Sequence, residues 1–190
     1  MTNSFSRPAL NVLALGALTT ALTFTAVGCG GNTTEGGDAK TASSEGGSHP
    51  LLNNAGPDFS ADTVNAKGKA SPTANKGKVL IVDFWATWCE PCKKSFPKLQ
   101  ELYTKYKGQL EILAISEDDE NNGLKDFGDA HGAVKFPLMW DDGKKIAAKW
   151  QPKSMPATFI VDKSGVVKFV HLGYHDGEEN EIEKELKSLF

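Results

Sequence analysis

Two cysteines separated by two residues, in the stretch Trp88-Cys89-Glu90-Pro91-Cys92, hold the most specific chemistry in this 190-residue sequence. A Cys-x-x-Cys spacing serves two kinds of chemistry. The sulfurs can close a small disulfide ring and exchange it with other thiols, or they can supply half of a four-thiolate zinc site. The surroundings favour the first. The pair follows a continuous apolar run, Val79-Leu80-Ile81-Val82, and opens a segment of helical periodicity. A sulfur at a helix start meets unpaired backbone N–H groups and the positive end of the helix dipole, and both favour an anion. Thiols so placed ionise near 7 or below rather than near 8.5. Cys89 is therefore the expected nucleophile, and Cys92, further into the helix and better covered, the expected resolving thiol. The one remaining cysteine, Cys29, stands alone. No second pair completes a zinc site, so no metal is expected.

Three neighbours bear on that chemistry. Asp83 interrupts the apolar run, and an acid there costs free energy unless it is neutral or partnered. Burial should raise its pKa and let it relay a proton to or from Cys92, if the strand end lies beneath the helix start. The alternative is an acid bonded to a backbone amide or a lysine at the strand end. Glu90 places a negative charge beside the thiols and opposes thiolate formation, while Lys93 and Lys94 act the other way. Trp88 is expected in an exposed apolar docking surface and Trp140 in the core.

The elements that must position these groups are readable in outline. Lys78 to Trp85 reads as a central strand covered on both faces. Cys92 to Tyr106 reads as a helix, because Phe96, Leu99, Leu102, Tyr103 and Tyr106 fall at spacings of three and four. Glu111 to Ser116 is a second buried strand, and Asn121 to His131 and Lys144 to Trp150 are further helices. Ala157 to Val161 and Val166 to His171 form a hairpin around Asp162-Lys163-Ser164-Gly165, and Glu178 to Phe190 closes the chain as an amphipathic helix. This order predicts an α/β fold with a mixed four- or five-stranded sheet and helices on both faces.

Three segments together resemble the thioredoxin superfamily, and within it the extracytoplasmic TlpA/ResA-like thiol–disulfide oxidoreductases. They are Gly56-Pro57-Asp58-Phe59, the stretch from Gly77 through Cys92, and Met155-Pro156-Ala157-Thr158-Phe159-Ile160-Val161-Asp162. The resemblance covers residues 56 to 190. It implies a thioredoxin fold in which Pro156 is cis and faces the disulfide, and in which the Met155 backbone pairs with an extended substrate. Pro91 and Gly173 are placed at the substrate groove and Pro97 in a kinked first helix. It also implies a protein disulfide as substrate, with apocytochrome c cysteines before haem attachment as one candidate. A membrane thiol carrier would be the electron donor, and no cofactor is implied beyond the Cys89–Cys92 couple.

The first 28 residues read as a secretory signal peptide, with an apolar stretch from Ala9 to Val27 and a small-residue site at Ala26-Val27-Gly28-Cys29. The site resembles the bacterial lipobox, which implies lipidation of Cys29 and attachment to a membrane. An uncleaved anchor helix is the alternative, since about 20 apolar residues span a bilayer. Residues 29 to 55 are rich in Gly, Ser, Thr and Asn and are expected to form a flexible tether with a reach of about 25 to 30 Å. The protein is thus expected outside the cytoplasm, on the periplasmic side.

Other functions fit less well. The net charge of −3 and the scattered lysines leave no footprint for nucleic acid. A thioredoxin-like peroxidase would need an activating threonine and arginine near its cysteine, and no arginine follows Arg7. A disulfide oxidase or isomerase remains the other redox reading. The acidic run from Glu117 to Asn122 lacks the alternating ligands and central glycine of a calcium loop and is expected to be a solvated loop feeding a helix N-terminus. His49 is expected in the tether and His131 at a helix end.

Overall fold

In the computed structural model, residues 49–132 and 134–190 are described; Cys29, the signal peptide and most of the tether lie outside them. A five-stranded sheet has the order β5-β4-β3-β6-β7, formed by β3 (Val79–Trp85), β4 (Leu110–Ser116), β5 (Leu138–Trp140), β6 (Ala157–Val161) and β7 (Val167–Leu172). β3, β4 and β5 run parallel, with α1 (Glu90–Lys105) and α2 (Leu124–Ala130) between them, and β6 and β7 are antiparallel. α3 (Ala147–Trp150) precedes β6, and α4 (Glu178–Leu189) ends the chain. A two-stranded ladder, β1 (Ala61–Asp62) with β2 (Lys69–Ala70), precedes β3.

All seven residues of β3 are buried, as a strand covered on both faces requires. Alternation divides them between two apolar layers. Val79, Ile81 and Trp85 join Phe96, Leu99 and Leu102 of α1 and Ile182 and Leu186 of α4. Leu80, Val82 and Phe84 face the other way, against Phe159, Met139 and Trp150. Asp83 therefore belongs to the layer beneath α1.

Three departures from the sequence-based reading stand out beside shifts of one to three residues at other element ends. Helix α1 starts at Glu90 rather than Cys92, because Cys89 is its N-cap. β5 was not foreseen: it has three residues and directly follows Phe136-Pro137, too short a run to show alternation. Residues 49–55, read as the end of the tether, pack onto the domain. His49 is buried against Phe159 with ring centroids 5.0 Å apart, and Asn53 N–H and Asn54 C=O bond Val167 at 2.7 and 2.9 Å. No helix among the described residues is long and apolar enough to cross a membrane.

Candidate active site

The loop leaving the C-terminal end of β3 carries the two sulfurs. Cys89 and Cys92 form a disulfide with S–S 2.00 Å and Cα–Cα 5.3 Å. Cys89 has extended backbone at the N-cap, and the Cys92 N–H, the third of the helix, donates to its Sγ at 3.2 Å. Side chains at this position normally accept with oxygen. Here the acceptor is sulfur, so the first-turn donor that would stabilise a Cys89 thiolate is already aimed at it. Pro91, in the first turn, has no N–H to satisfy.

Access differs between the two sulfurs, and Cys92 is the better covered, as its place in the helix requires. Cys89 is 4% exposed and Cys92 fully buried, so attack is confined to a narrow approach at Cys89. Trp88 stands 66% exposed beside it, as expected of a docking side chain. Glu90 is exposed and ion-paired with Lys93, so water and a cation weaken its effect on the thiols. Trp140 is only half-buried, because its Nε1–H reaches out to the Asp118 carbonyl at 2.9 Å.

Asp83 is fully buried in mid-strand, opposite Ala114 on one side and Thr158 on the other. Neither a backbone amide nor a lysine meets it. The Thr158 hydroxyl donates to Oδ1 at 2.7 Å, and Oδ2 has no partner. Burial pushes its titration up from 3.8 to about 7, against the Thr158 bond and helped by the negative charge of Glu178. A carboxyl of this kind exchanges a proton near neutrality, the range a thiol–thiolate step needs.

The Met155–Pro156 bond is cis. β6 begins at the next residue, Ala157, which pairs with Phe84, so this bend lies at the end of β3 from which the cysteine loop departs. Met155 packs against the cluster containing both cysteines. Gly173 has φ 87°, where a side chain is strained, and its N–H donates to the Pro156 carbonyl at 2.8 Å, tying β7 to the bend. One cleft runs past Glu90 and Pro91 of the cysteine motif, Tyr174 and His175, and another past Glu117, Gln151, Lys153 and Met155. A further cavity, lined by Asp58, Lys76 and Lys163, sits at the opposite end of β3.

The acidic run proved more than a solvated loop. Asp118 is buried and accepts from the Thr87 N–H at 2.9 Å, the Thr87 hydroxyl at 2.6 Å and the Ser116 hydroxyl at 2.7 Å. It clamps the chain two residues before Cys89, a role that composition hides, because Asp118 sits among solvated acids. Glu117, half-buried, is pushed up to about 7 by burial and by Asp141, against Lys144. Among the described residues, no group of three His, Cys, Asp or Glu side chains is placed to hold a metal ion.

A parallel three-strand core extended by an antiparallel hairpin, with a disulfide at the first helix N-cap and a cis-proline bend at the same strand ends, defines a protein of the thioredoxin-fold class. The chain belongs to the AhpC/TSA family, which matches residues 52–170. It is 38% identical over 107 residues to the thiol-disulfide oxidoreductase ResA of Bacillus thuringiensis (strain Al Hakam), covering 56% of this chain and 61% of that protein. It is 33% identical over 133 residues to the thioredoxin-like protein YneN of Bacillus subtilis, covering 68% and 76%. A crystal structure of a thiol:disulfide interchange protein described as DsbE, from Chlorobium tepidum, superposes with TM-score 0.67 at 26% identity, covering 73% of this chain and 96% of that one.

Proposed function

We propose that the protein is an extracytoplasmic thiol–disulfide oxidoreductase that reduces protein disulfides through the Cys89/Cys92 couple, with no other cofactor. One observation carries the reading: a disulfide at a helix N-cap, its outer sulfur already accepting an N–H, lies in the same layer as a buried carboxyl that titrates near 7.

The cycle starts from the dithiol. The Cys89 thiolate attacks one sulfur of a partner disulfide, and the other partner sulfur leaves as a thiolate. Asp83 takes the proton of Cys92, whose thiolate then attacks Cys89 and releases the reduced partner. The Cys89–Cys92 disulfide that remains needs two electrons, and a membrane thiol carrier is the donor class suited to an oxidising compartment. Trp88 and Met155 supply an apolar platform, and the backbone at Met155 pairs with the partner chain. Lipid attachment at Cys29 keeps the protein at the membrane. The names of the ResA relatives support the oxidoreductase reading, and apocytochrome c is the partner to test first.

A Cys92→Ser variant, stripped of its resolving thiol, should hold partners as mixed disulfides in an extracytoplasmic extract. Trapped apocytochrome would identify the pathway. Failure to capture any protein through Cys89, with the thiol shown to be free, would exclude protein disulfides as substrates.

A further inference from the structure

Cys92 and Asp83 are both sealed from water, so a proton moved between them has no direct exit. A row of polar groups leads away from them on the α4 side. Asp83 pairs across the sheet with Thr158, and Thr158 with His171, which places all three on one face. Thr158, Glu178, Ser95 and Tyr174 line a cavity of about 10 Å³, close to the volume that admits one water. Beyond it, Glu178 Oε1 lies 3.5 Å from His171 Nδ1, and His171 Nε2 lies 2.7 Å from Glu185 Oε2. Glu178 is 4% exposed and His171 7%, while the Glu185 carboxylate reaches solvent with 23% of its side chain exposed. Removing one partner of a buried ion pair leaves the other charge uncompensated, so His171 holds the Glu178 carboxylate in place.

We propose that Glu178, held by His171, is a positioning and proton-carrying residue that passes the proton of Asp83 to solvent while Cys92 displaces the bound partner. The proposal rests on the thiol–disulfide reading above. The Cys92 S–H bond breaks and its proton goes to Asp83. The Cys92–Cys89 bond forms, the Cys89–partner bond breaks, and the electron pair leaves on the partner thiolate, which takes a proton from solvent. The proton on Asp83 moves over the Thr158 hydroxyl, which both accepts and donates, to Glu178 and out by His171 and Glu185. No net proton is gained or lost. The polar and titratable groups facing this path are Ser95 and Lys98 from α1, Tyr174 from the loop after β7, Glu178 and Glu179 from α4, and beyond the cavity His171 from β7 and Glu185 from α4; β4 offers only Ala114 opposite Asp83.

The test uses the reduced full-length protein mixed with excess dithionitrobenzoate, whose leaving thiolate is coloured. The first release reports Cys89 attack and the second reports the Cys92 step. Glu178→Gln should slow the second release about tenfold near neutral pH, less than the roughly 100-fold that direct general acid–base catalysis supplies, because Glu178 acts one step removed from the thiol. It should also enlarge the solvent deuterium effect and leave the first release unchanged, and Glu178→Asp should recover the rate. A second release within about twofold of native, or a profile displaced along the pH axis with its plateau and isotope effect kept, overturns the proposal. If the Gln variant does not fold, Glu185→Gln at the solvent end decides: slowing of the second release supports the path, and an unchanged rate overturns it. Absence of the first release in the native protein is a different failure, that of the thiol–disulfide reading itself.

Discussion

The Thr158 hydroxyl bonds one oxygen of Asp83 at 2.7 Å and leaves the other without a partner in the buried layer beneath α1. Such a carboxyl gives up its proton only at a cost to the folded state. In the unfolded chain Asp83 loses that proton near 3.8, and in the folded protein near 7. Between those values the native state binds more protons, so its stability falls as pH rises, by roughly 4 kcal/mol for this group, and falls no further above 7.

Asp83→Asn removes that slope. Urea unfolding at pH 4 and pH 8 should show the variant gaining on the native protein by roughly 3 to 4 kcal/mol across the interval. The same variant should slow the Cys92 step by about 100-fold. A difference between the two proteins that stays constant with pH would show that Asp83 is ionised throughout.

Helix capping by sulfur leads to a second expectation. In the reduced protein, iodoacetamide should alkylate Cys89 with a midpoint near 7 or below, rather than near 8.5. Cys92 should react only after unfolding. Equal labelling of both thiols at a midpoint near 8.5 would mean that the N–H aimed at Cys89 has no influence on the thiolate.

The cysteine motif was legible because its chemistry is local: spacing, helix start and preceding strand all lie within about fifteen residues. The buried acid was legible for the same reason, since Asp83 interrupts an apolar run. What stayed hidden depends on contacts across the chain. Asp118 was read as one acid among several, and only the folded β4 end brings it to Thr87. His171 and Glu178 are unremarkable until the β6–β7 register and α4 set them behind Thr158. His49 belonged by composition to a tether, yet its ring packs on Phe159 and its Nε2 lies 3.1 Å from the Gln151 carbonyl.

Asp118 is expected to matter for both stability and the site. Asp118→Ala leaves the Thr87 N–H and two hydroxyls without their acceptor, at a cost of about 2 to 4 kcal/mol. The loop before Cys89 should loosen, so denaturant midpoints should drop and the Thr87 and Trp88 amides should exchange faster with solvent deuterium. Asp118→Asn should keep part of the stability. An Ala variant as stable as the native protein would show that water replaces the clamp.

His171 gives a pH signature opposite in origin to that of Asp83. Burial opposes its charge, but Glu178 and Glu185 outweigh burial and lift its titration from 6.5 to about 9. The resulting stability is fully present below about 6.5 and is lost as pH rises through 9. His171→Leu should therefore be less stable than the native protein at pH 6 and close the gap by pH 10, as read by thermal unfolding. A gap that is unchanged over that range would mean a neutral imidazole.

Trp88 should affect binding of the partner more than chemistry. Trp88→Ala should raise KM for a protein disulfide about two- to twelvefold, about 0.5 to 1.5 kcal/mol for a lost aromatic contact, with kcat nearly unchanged. Insulin reduction with dithiothreitol as donor reads both constants, and a fall in kcat alone would place Trp88 in the chemical step.

The reduction potential of the Cys89–Cys92 couple, equilibrated against glutathione mixtures and read by thiol labelling of the full-length protein, bears most directly on the central claim. A reductase of protein disulfides should poise near or below about −250 mV. A value near about −120 mV would make the protein an oxidant and contradict the proposed direction of electron flow.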